Sequence, residues 1–312
     1  MPKISIIMLT YNREQFVERA IESILLQTFK DFELILVNNG STDNSGSICD
    51  KFSKIDSRIK VIHKEKGNIA SGRNAGLEIA QGEYIGFVDD DDYALPEMFE
   101  ILYNNAIKYD ADISLCGSYQ EIKGERLPRF IFEGLEILDT ENAVVELLKR
   151  EKYNVGTPTK LFKRYIFEKN NFLTDKKYDD VNVVYKFFVS AKKVVACGEP
   201  LYVVNRHESN NSNFTRNNAW DEERLSEYIK AYEDRTEYLI NKLPNIADYV
   251  IYTKWSYFIS MCNKIKNYKL KDCENLYKYM KQCLLDNFEA LYSSKYVTEE
   301  ERYLIDEILN TN

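Results

Sequence analysis

Apolar runs and helix-spaced apolar positions alternate along the first third of the chain. Ile4–Leu9 is nearly continuous in apolar residues, as expected of a parallel strand covered on both faces. Phe16, Val17, Ala20, Ile21, Ile24 and Leu25 then recur at helical spacing, with Asn12 or Thr10 available as a cap. Phe32–Val37 predicts a second strand, Asn39-Gly40-Ser41 a turn, and Ser47–Phe52 a helix capped by Asp43 or Ser45. A strand at Arg58–Ile62, a helix over Ala70–Ile79 stopped by Gly82, and a strand at Tyr84–Val88 follow. Leu95-Pro96 opens a helix reaching about Ala106, with proline near its first turn, and Ile113–Cys116 is a fifth strand.

Strand–helix units of this length predict an α/β fold, a mostly parallel sheet with helices on both faces. Ligands of such sheets sit beyond the carboxyl ends of the strands. Three polar clusters fall there: Thr10-Tyr11-Asn12, Asn38–Asp43 and Asp89–Asp92. The middle of the chain is less regular. It predicts a strand at Arg129–Phe132, a helix at Asn142–Leu148, and a strand or extended segment at Pro158–Phe162. Helices at Tyr165–Glu168 and Asp180–Ser190, and separate strands at Lys193–Ala196 and Pro200–Val204, complete it. Asn205–Asn218 is polar and reads as a loop or seam. Helical patterns at Glu222–Asn241, Ile246–Ile265, Asp272–Leu291 and Thr298–Ile308 mark a helical appendage. The expected division is therefore 1–212 for the strand–helix domain and 219–312 for the helical region. Aromatics three to four apart there, such as Tyr249, Tyr252, Trp255 and Phe258, fit a packed helix–helix core or an acceptor or membrane surface.

Composition narrows the partners. A formal charge of −8 argues against a nucleic-acid polymer, whose phosphates require basic patches. The six cysteines form no CxxC pair and fit free thiols in a reducing compartment. Ile4–Leu9 is too short to span a bilayer and lacks a signal-peptide layout, so a cytoplasmic setting is expected.

Four places carry candidate chemistry. In Asp89-Asp90-Asp91-Asp92, alternate side chains of an extended backbone share a face, so Asp89 and Asp91 can address one site. Four adjacent carboxylates are costly without a cation, and oxygen ligands suit Mg²⁺ or Mn²⁺ shared with a diphosphate. The plain alternative is a solvated acidic loop. In the segment from Gly67 to Gly76, small residues permit close backbone approach, and Arg73 suits a phosphate or a carboxylate. The segment fits neither a P-loop nor GxGxxG. Asp179 and Asp180 precede an apolar helix and read either as a helix cap or as paired carboxylates, one of them a base. His207, in Asn205-Arg206-His207-Glu208, reads as a metal ligand if the fold brings Asp91 to it, or as an ordinary partly buried residue.

Taken in order, Ser5–Asn12, Leu36–Asp43, Ser71–Gly76 and Gly82–Asp92 resemble the family 2 nucleotide-sugar glycosyltransferases, among them bacterial enzymes of capsule and surface-polysaccharide synthesis. The resemblance spans Lys3 to Ser212 and implies a GT-A fold. It implies that Thr10, Tyr11 and Arg13 help hold a nucleotide and that Asn39 faces the base. Family members carry acidic residues at the positions of Asn38 and Asn39, so the usual carboxylate contact to a uracil is missing. The resemblance further places Arg73 near the nucleotide, Asp89, Asp90 and Asp92 on the donor, and Asp91 on the metal with His207. Asp43 supports its turn, Asp179 lies near the acceptor, and Asp180 is the general base.

The implied reaction is an inverting, Mn²⁺- or Mg²⁺-dependent transfer from a UDP-sugar to a hydroxyl of a glycan or lipid-linked oligosaccharide. The implied setting is the cytoplasm at the inner face of the membrane, with the helical region contacting acceptor, membrane or a second copy in a homodimer. Two other classes stay open. A sugar-phosphate nucleotidyltransferase would release pyrophosphate. A non-catalytic nucleotide-sugar or glycan-binding protein would bind without turnover.

Overall fold

A computed structural model describes residues 1–310 of the chain. Thr311 and Asn312, the last positions of the expected helical region, lie outside the described residues. The chain divides into two compact units, Met1–His207 and the remainder from Glu208.

The first unit opens with β1 (Ile4–Thr10), α1 (Val17–Leu25), β2 (Phe32–Asn38), α2 (Ser45–Ile55), β3 (Ile59–His63), α3 (Ile69–Ile79) and β4 (Tyr84–Asp89). The expected alternation is present, with boundaries shifted by a few residues. β5 (Tyr93–Ala94), α4 (Met98–Tyr109), β6 (Ile113–Ile122), β7 (Glu125–Phe130), β8 (Leu135–Asp139) and α5 (Thr140–Lys149) follow. The unit closes with β9 (Lys160–Lys163), α6 (Tyr165–Lys169), α7 (Asp179–Ser190) and β10 (Lys193–Arg206).

Among the described residues these strands form one sheet in the order β3-β2-β1-β4-β9-β6-β10-β5, with β7 on β6 and β8 on β10. β3, β2, β1 and β4 are parallel neighbours, as the apolar runs predict. β6 and β10 are also parallel, but β9 runs antiparallel between β4 and β6. The sheet is therefore mixed rather than mostly parallel. One cause is local. Lys123 and Gly124 both take positive φ, which reverses the chain in a two-residue turn and sets β7 antiparallel to β6. The strands expected at Lys193–Ala196 and Pro200–Val204 are one strand, β10, with register shifts on either side of Pro200. Proline has no N–H for the ladder, which reads in sequence as an interruption.

The helices close on the sheet through apolar side chains. Ile4, Ile6, Met8, Leu34, Leu36, Val88, Phe99, Leu102 and Tyr202 form one buried cluster with Ala20, Ile21 and Ile24 of α1. On α3, Gly76 lets the helix lie against β1, since a Cβ there would stand 2.6 Å from Cγ2 of Ile7. A Cβ on Gly72 would collide with Leu9. This close approach brings the start of α3, with Arg73, over the ends of β1 and β4.

The second unit is helical: α8 (Asn213–Arg216), α9 (Glu222–Lys242), α10 (Ala247–Tyr268), α11 (Glu274–Asp286), α12 (Phe288–Tyr292) and α13 (Glu299–Asn310). The polar segment Asn205–Asn218 is not a continuous loop, because Asn205 and Arg206 extend β10 and α8 adds a helical turn. The helix expected over Asp272–Leu291 breaks at Asn287, between α11 and α12. Trp255 and Phe258 are buried with Leu225, Met280 and Ile305 in a core of this unit, as the bland reading of the aromatic spacing requires. No helix among the described residues is long and apolar enough to cross a membrane.

Candidate active site

The acidic run sits at the carboxyl end of β4, beside the end of β1. Tyr11 donates its backbone N–H to Asp90 Oδ2 at 3.3 Å, and Arg13 Nε lies 3.9 Å from Asp90 and 3.7 Å from Asp91. His207, which follows β10, comes from the far side of the sheet to place Nε2 3.0 Å from Asp91 Oδ2. The His207 ring stacks on Phe16, with centroids 4.3 Å apart. Asp92 Oδ1 accepts the Asn205 N–H at 2.8 Å, tying the run to β10.

Charge is compressed here. Burial, with Asp91 next to it, pushes the Asp90 carboxyl up to about 8, and burial raises Asp92 well above the ordinary carboxylate range. Among the described residues, no three His, Cys, Asp or Glu side chains converge on one point as a closed metal site. The donor set of Asp91 and His207 nevertheless fits Mg²⁺ or Mn²⁺. It is one carboxylate and one imidazole beside an over-acidic cluster, and such ions commonly take few protein ligands and the rest from phosphates and water.

Arg73 connects this cluster to α7. Its Nη1 donates to Asp179 Oδ2 at 2.7 Å and its Nη2 to Asp89 Oδ1 at 3.5 Å. Burial alone would favour loss of its proton, but Asp179, Asp89 and Asp180 together raise its pKa. The side chain of Asp179 is only 6% exposed, whereas that of Asp89 is 45% exposed and open to a ligand. Neither Asp179 nor Asp180 is the helix cap, because Tyr178 occupies that position and makes no side-chain capping bond. The two carboxylates differ in their engagements. Asp179 is spent on Arg73, and among the described residues Asp180 accepts only the neighbouring Val181 N–H at 2.8 Å. Burial, with Asp179 beside it, pushes Asp180 up to about 6.

Other expected contacts are turned inward. Asn39 is buried, and its Oδ1 accepts from Lys64 Nζ at 2.8 Å and Gly67 N at 3.1 Å while its Nδ2 donates to Gly67 O at 2.8 Å. At the position that faces a base in the family pattern, the Asn39 amide here closes a loop. Asn38 is used likewise: its Oδ1 accepts from Ser41 N and its Nδ2 bonds His63 Nδ1. Asp43 accepts from the N–H groups of Ser45 and Glu14, which outweigh the effect of burial and hold it below its usual range. Thr10 is buried at the end of β1, with its backbone oxygen accepting the Asn39 N–H.

Two contributors were not visible in the sequence. Tyr202 hydroxyl accepts the Asp89 N–H at 3.1 Å, and Phe16 backs His207. Both have sequence signals of ordinary core aromatics, and only the pairing of distant strands reveals them.

Residues 5–174 match the family described as Glycosyl transferase family 2. The chain is 32% identical over 240 residues to Glycosyltransferase GlyG of Streptococcus pneumoniae serotype 4, covering 74% of this chain and 80% of that protein. It is 35% identical over 236 residues to the Uncharacterized glycosyltransferase EpsJ of Bacillus subtilis, covering 73% of this chain and 68% of that one. The fold is similar to the crystal structure of S. aureus TarS 1-349 in complex with UDP-GlcNAc, with a TM-score of 0.61, 19% identity, and coverage of 98% of this chain and 79% of that one. Arg73, between Asp179 and Asp89, stands at the strand ends of a GT-A-like sheet, and the family match makes the chain a group-transfer enzyme. The chain belongs to glycosyltransferase family 2 and is related to bacterial glycosyltransferases.

Proposed function

We propose that the chain transfers a sugar from a UDP-sugar to a hydroxyl of a surface glycan or lipid-linked acceptor, with inversion at the anomeric carbon. The observation that carries the reading is the division within the Asp179-Asp180 pair. Arg73 neutralises Asp179, and Asp180 keeps a carboxylate free to accept a proton. A base with a pKa near 6 is mostly ionised at neutral pH and still basic enough to help in proton transfer.

The donor half would be held by the ends of β1 and β4. Asp89, with its side chain 45% exposed, would face the ribose and sugar, and Arg13 and Arg73 would supply positive charge beside the diphosphate. Asp91 and His207 would hold a divalent cation, which when bound supplies countercharge to the diphosphate leaving group. Asp180 takes the hydroxyl proton as the acceptor oxygen bonds to the anomeric carbon, and the bond from that carbon to the diphosphate oxygen breaks with its electron pair. One displacement of this kind inverts the centre. The reaction is set in the cytoplasm, at the inner face of the membrane where lipid-linked acceptors are found.

A donor screen tests the reading. The purified chain is given each labelled nucleotide sugar with Mn²⁺ or Mg²⁺, starting with UDP-GlcNAc, the ligand of the TarS complex. Metal-dependent UDP release from one UDP-sugar, lost in Asp91→Ala, is the expected result. Release of pyrophosphate, or no nucleotide binding with either metal, would overturn it.

A further inference from the structure

The acidic run is a turn and not an extension of β4. Asp92 donates its backbone N–H to Asp89 O at 3.2 Å, which closes a four-residue β-turn with Asp90 and Asp91 at its tip. β5 then runs antiparallel to β10, with Tyr93 opposite Val203 and Ala94 opposite Tyr202. The same strand holds both corners of the turn. Asp92 Oδ1 accepts the Asn205 N–H at 2.8 Å, and the Tyr202 hydroxyl accepts the Asp89 N–H at 3.1 Å. The second bond fills a gap in the sheet. β9 pairs with β4 only as far as Gly86, so it offers no backbone acceptor to Asp89. The side chain of Tyr202, fully buried, supplies the acceptor instead.

Four adjacent carboxylates repel one another, so a turn that carries them needs anchors outside itself. The chemistry of this anchor suits the place. Burial, with Asp92 and Asp89 beside it, holds the Tyr202 phenol well above its usual range, so it stays neutral and accepts a hydrogen bond without adding another negative charge. The anchor also bears on the tip. His207, whose Nε2 lies 3.0 Å from Asp91 Oδ2, follows Tyr202 by five residues at the end of the same strand. Fastening Asp89 to Tyr202 therefore fixes Asp91 against His207. We propose that Tyr202 is a positioning residue for the divalent-cation site, holding the acidic turn on β10 through Asp89 so that Asp91 and His207 face one ion. The inference rests on the reading of Asp91 and His207 as the cation's ligands and deepens it by naming what aligns them.

The test is an equilibrium titration of the full chain with UDP, in the presence and absence of Mn²⁺. Tyr202→Phe deletes the hydroxyl and keeps the ring. Tyr84→Phe is the control, since it deletes a similarly buried hydroxyl that donates to Ala111 O at 3.2 Å. Wild type is expected to bind UDP more tightly with Mn²⁺. Tyr202→Phe is expected to lose about tenfold or more of the affinity measured with Mn²⁺, with metal-free affinity within about twofold of wild type, and Tyr84→Phe to stay within about twofold in both. Equal losses in the two variants, or Tyr202→Phe matching wild type, would overturn the proposal. So would an equal loss without metal, which would assign Tyr202 to the nucleotide and not to the cation. If Mn²⁺ left the UDP affinity of wild type unchanged, the cation reading would fail, and amide hydrogen exchange would still decide whether Tyr202 holds the turn. The Asp89 amide is expected to exchange about tenfold or more faster in Tyr202→Phe than in wild type or Tyr84→Phe, and an unchanged rate would overturn the positioning role.

Discussion

On β1, β2 and β4 the polar groups stand at the ends of adjacent parallel strands, each a few residues after an apolar run. The groups that meet them come from distant parts of the chain: Asp179 and Asp180 from the start of α7, and His207 from beyond β10. The first half, the nucleotide end in the proposed function, has most of its side chains already bonded to one another. In the second half Asp179 and His207 are bonded to Arg73 and Asp91, while Asp180 accepts the neighbouring Val181 N–H. Arg73 is the joint between them, bonded to Asp179 on one side and Asp89 on the other. The difference suggests that binding and chemistry are separable by mutation, although both act on one sugar.

The largest expected effect sharpens that separation. Asp180→Asn removes the base and should lower sugar transfer by about 10³-fold, read as UDP release in the presence of acceptor. Near-normal transfer would break the assignment. Next comes the joint itself. Arg73→Gln leaves the Asp179 carboxylate buried without its partner, and should destabilise the first unit by about 3 kcal/mol in urea unfolding. Arg73→Gln combined with Asp179→Asn should recover most of that loss, because the stranded charge is gone. An equal loss in both variants would mean that packing, not charge, accounts for it.

A smaller effect follows from proton occupancy. Asp180 works as a carboxylate, and burial beside Asp179 raises it to about 6 from the usual 3.8. Protonation then removes the base as pH falls, so transfer should be about half-maximal near pH 6, level off by about pH 7, and fall by nearly tenfold per pH unit below about pH 5. A profile flat down to pH 5 would contradict this. The smallest change tests the far side of the donor half. Phe16→Leu loses the ring stacked on His207 and should weaken Mn²⁺-dependent UDP binding by roughly tenfold, with little effect on metal-free binding.

What could be read in the sequence follows the same divide. The runs at Ile4–Leu9, Phe32–Val37 and Tyr84–Val88 mark buried parallel strands because both of their faces are covered, and the acidic cluster follows from its place after the third. β5 and β8 were missed. The first is two residues long, and the second alternates with half of its side chains exposed, so neither has an apolar run to show. Asn38 and Asn39 stand where base-reading groups do in the family, but their amides bond His63, Ser41, Lys64 and Gly67. Which way a side chain turns depends on loops some 25 residues away, and no local spacing encodes it. Asp180 could be matched to a base by family pattern, yet its distinction from Asp179 comes only from Arg73, 106 residues from Asp179.

The most direct test of the separation between binding and chemistry is a titration of Asp180→Asn with UDP and Mn²⁺, set beside its transfer rate. The account predicts UDP affinity within about twofold of wild type, since the variant keeps Asp89, Asp91, His207 and Arg73, while transfer falls by about 10³-fold. Loss of UDP affinity in parallel with transfer would show that Asp180 belongs to the nucleotide end, and would contradict the division of the site.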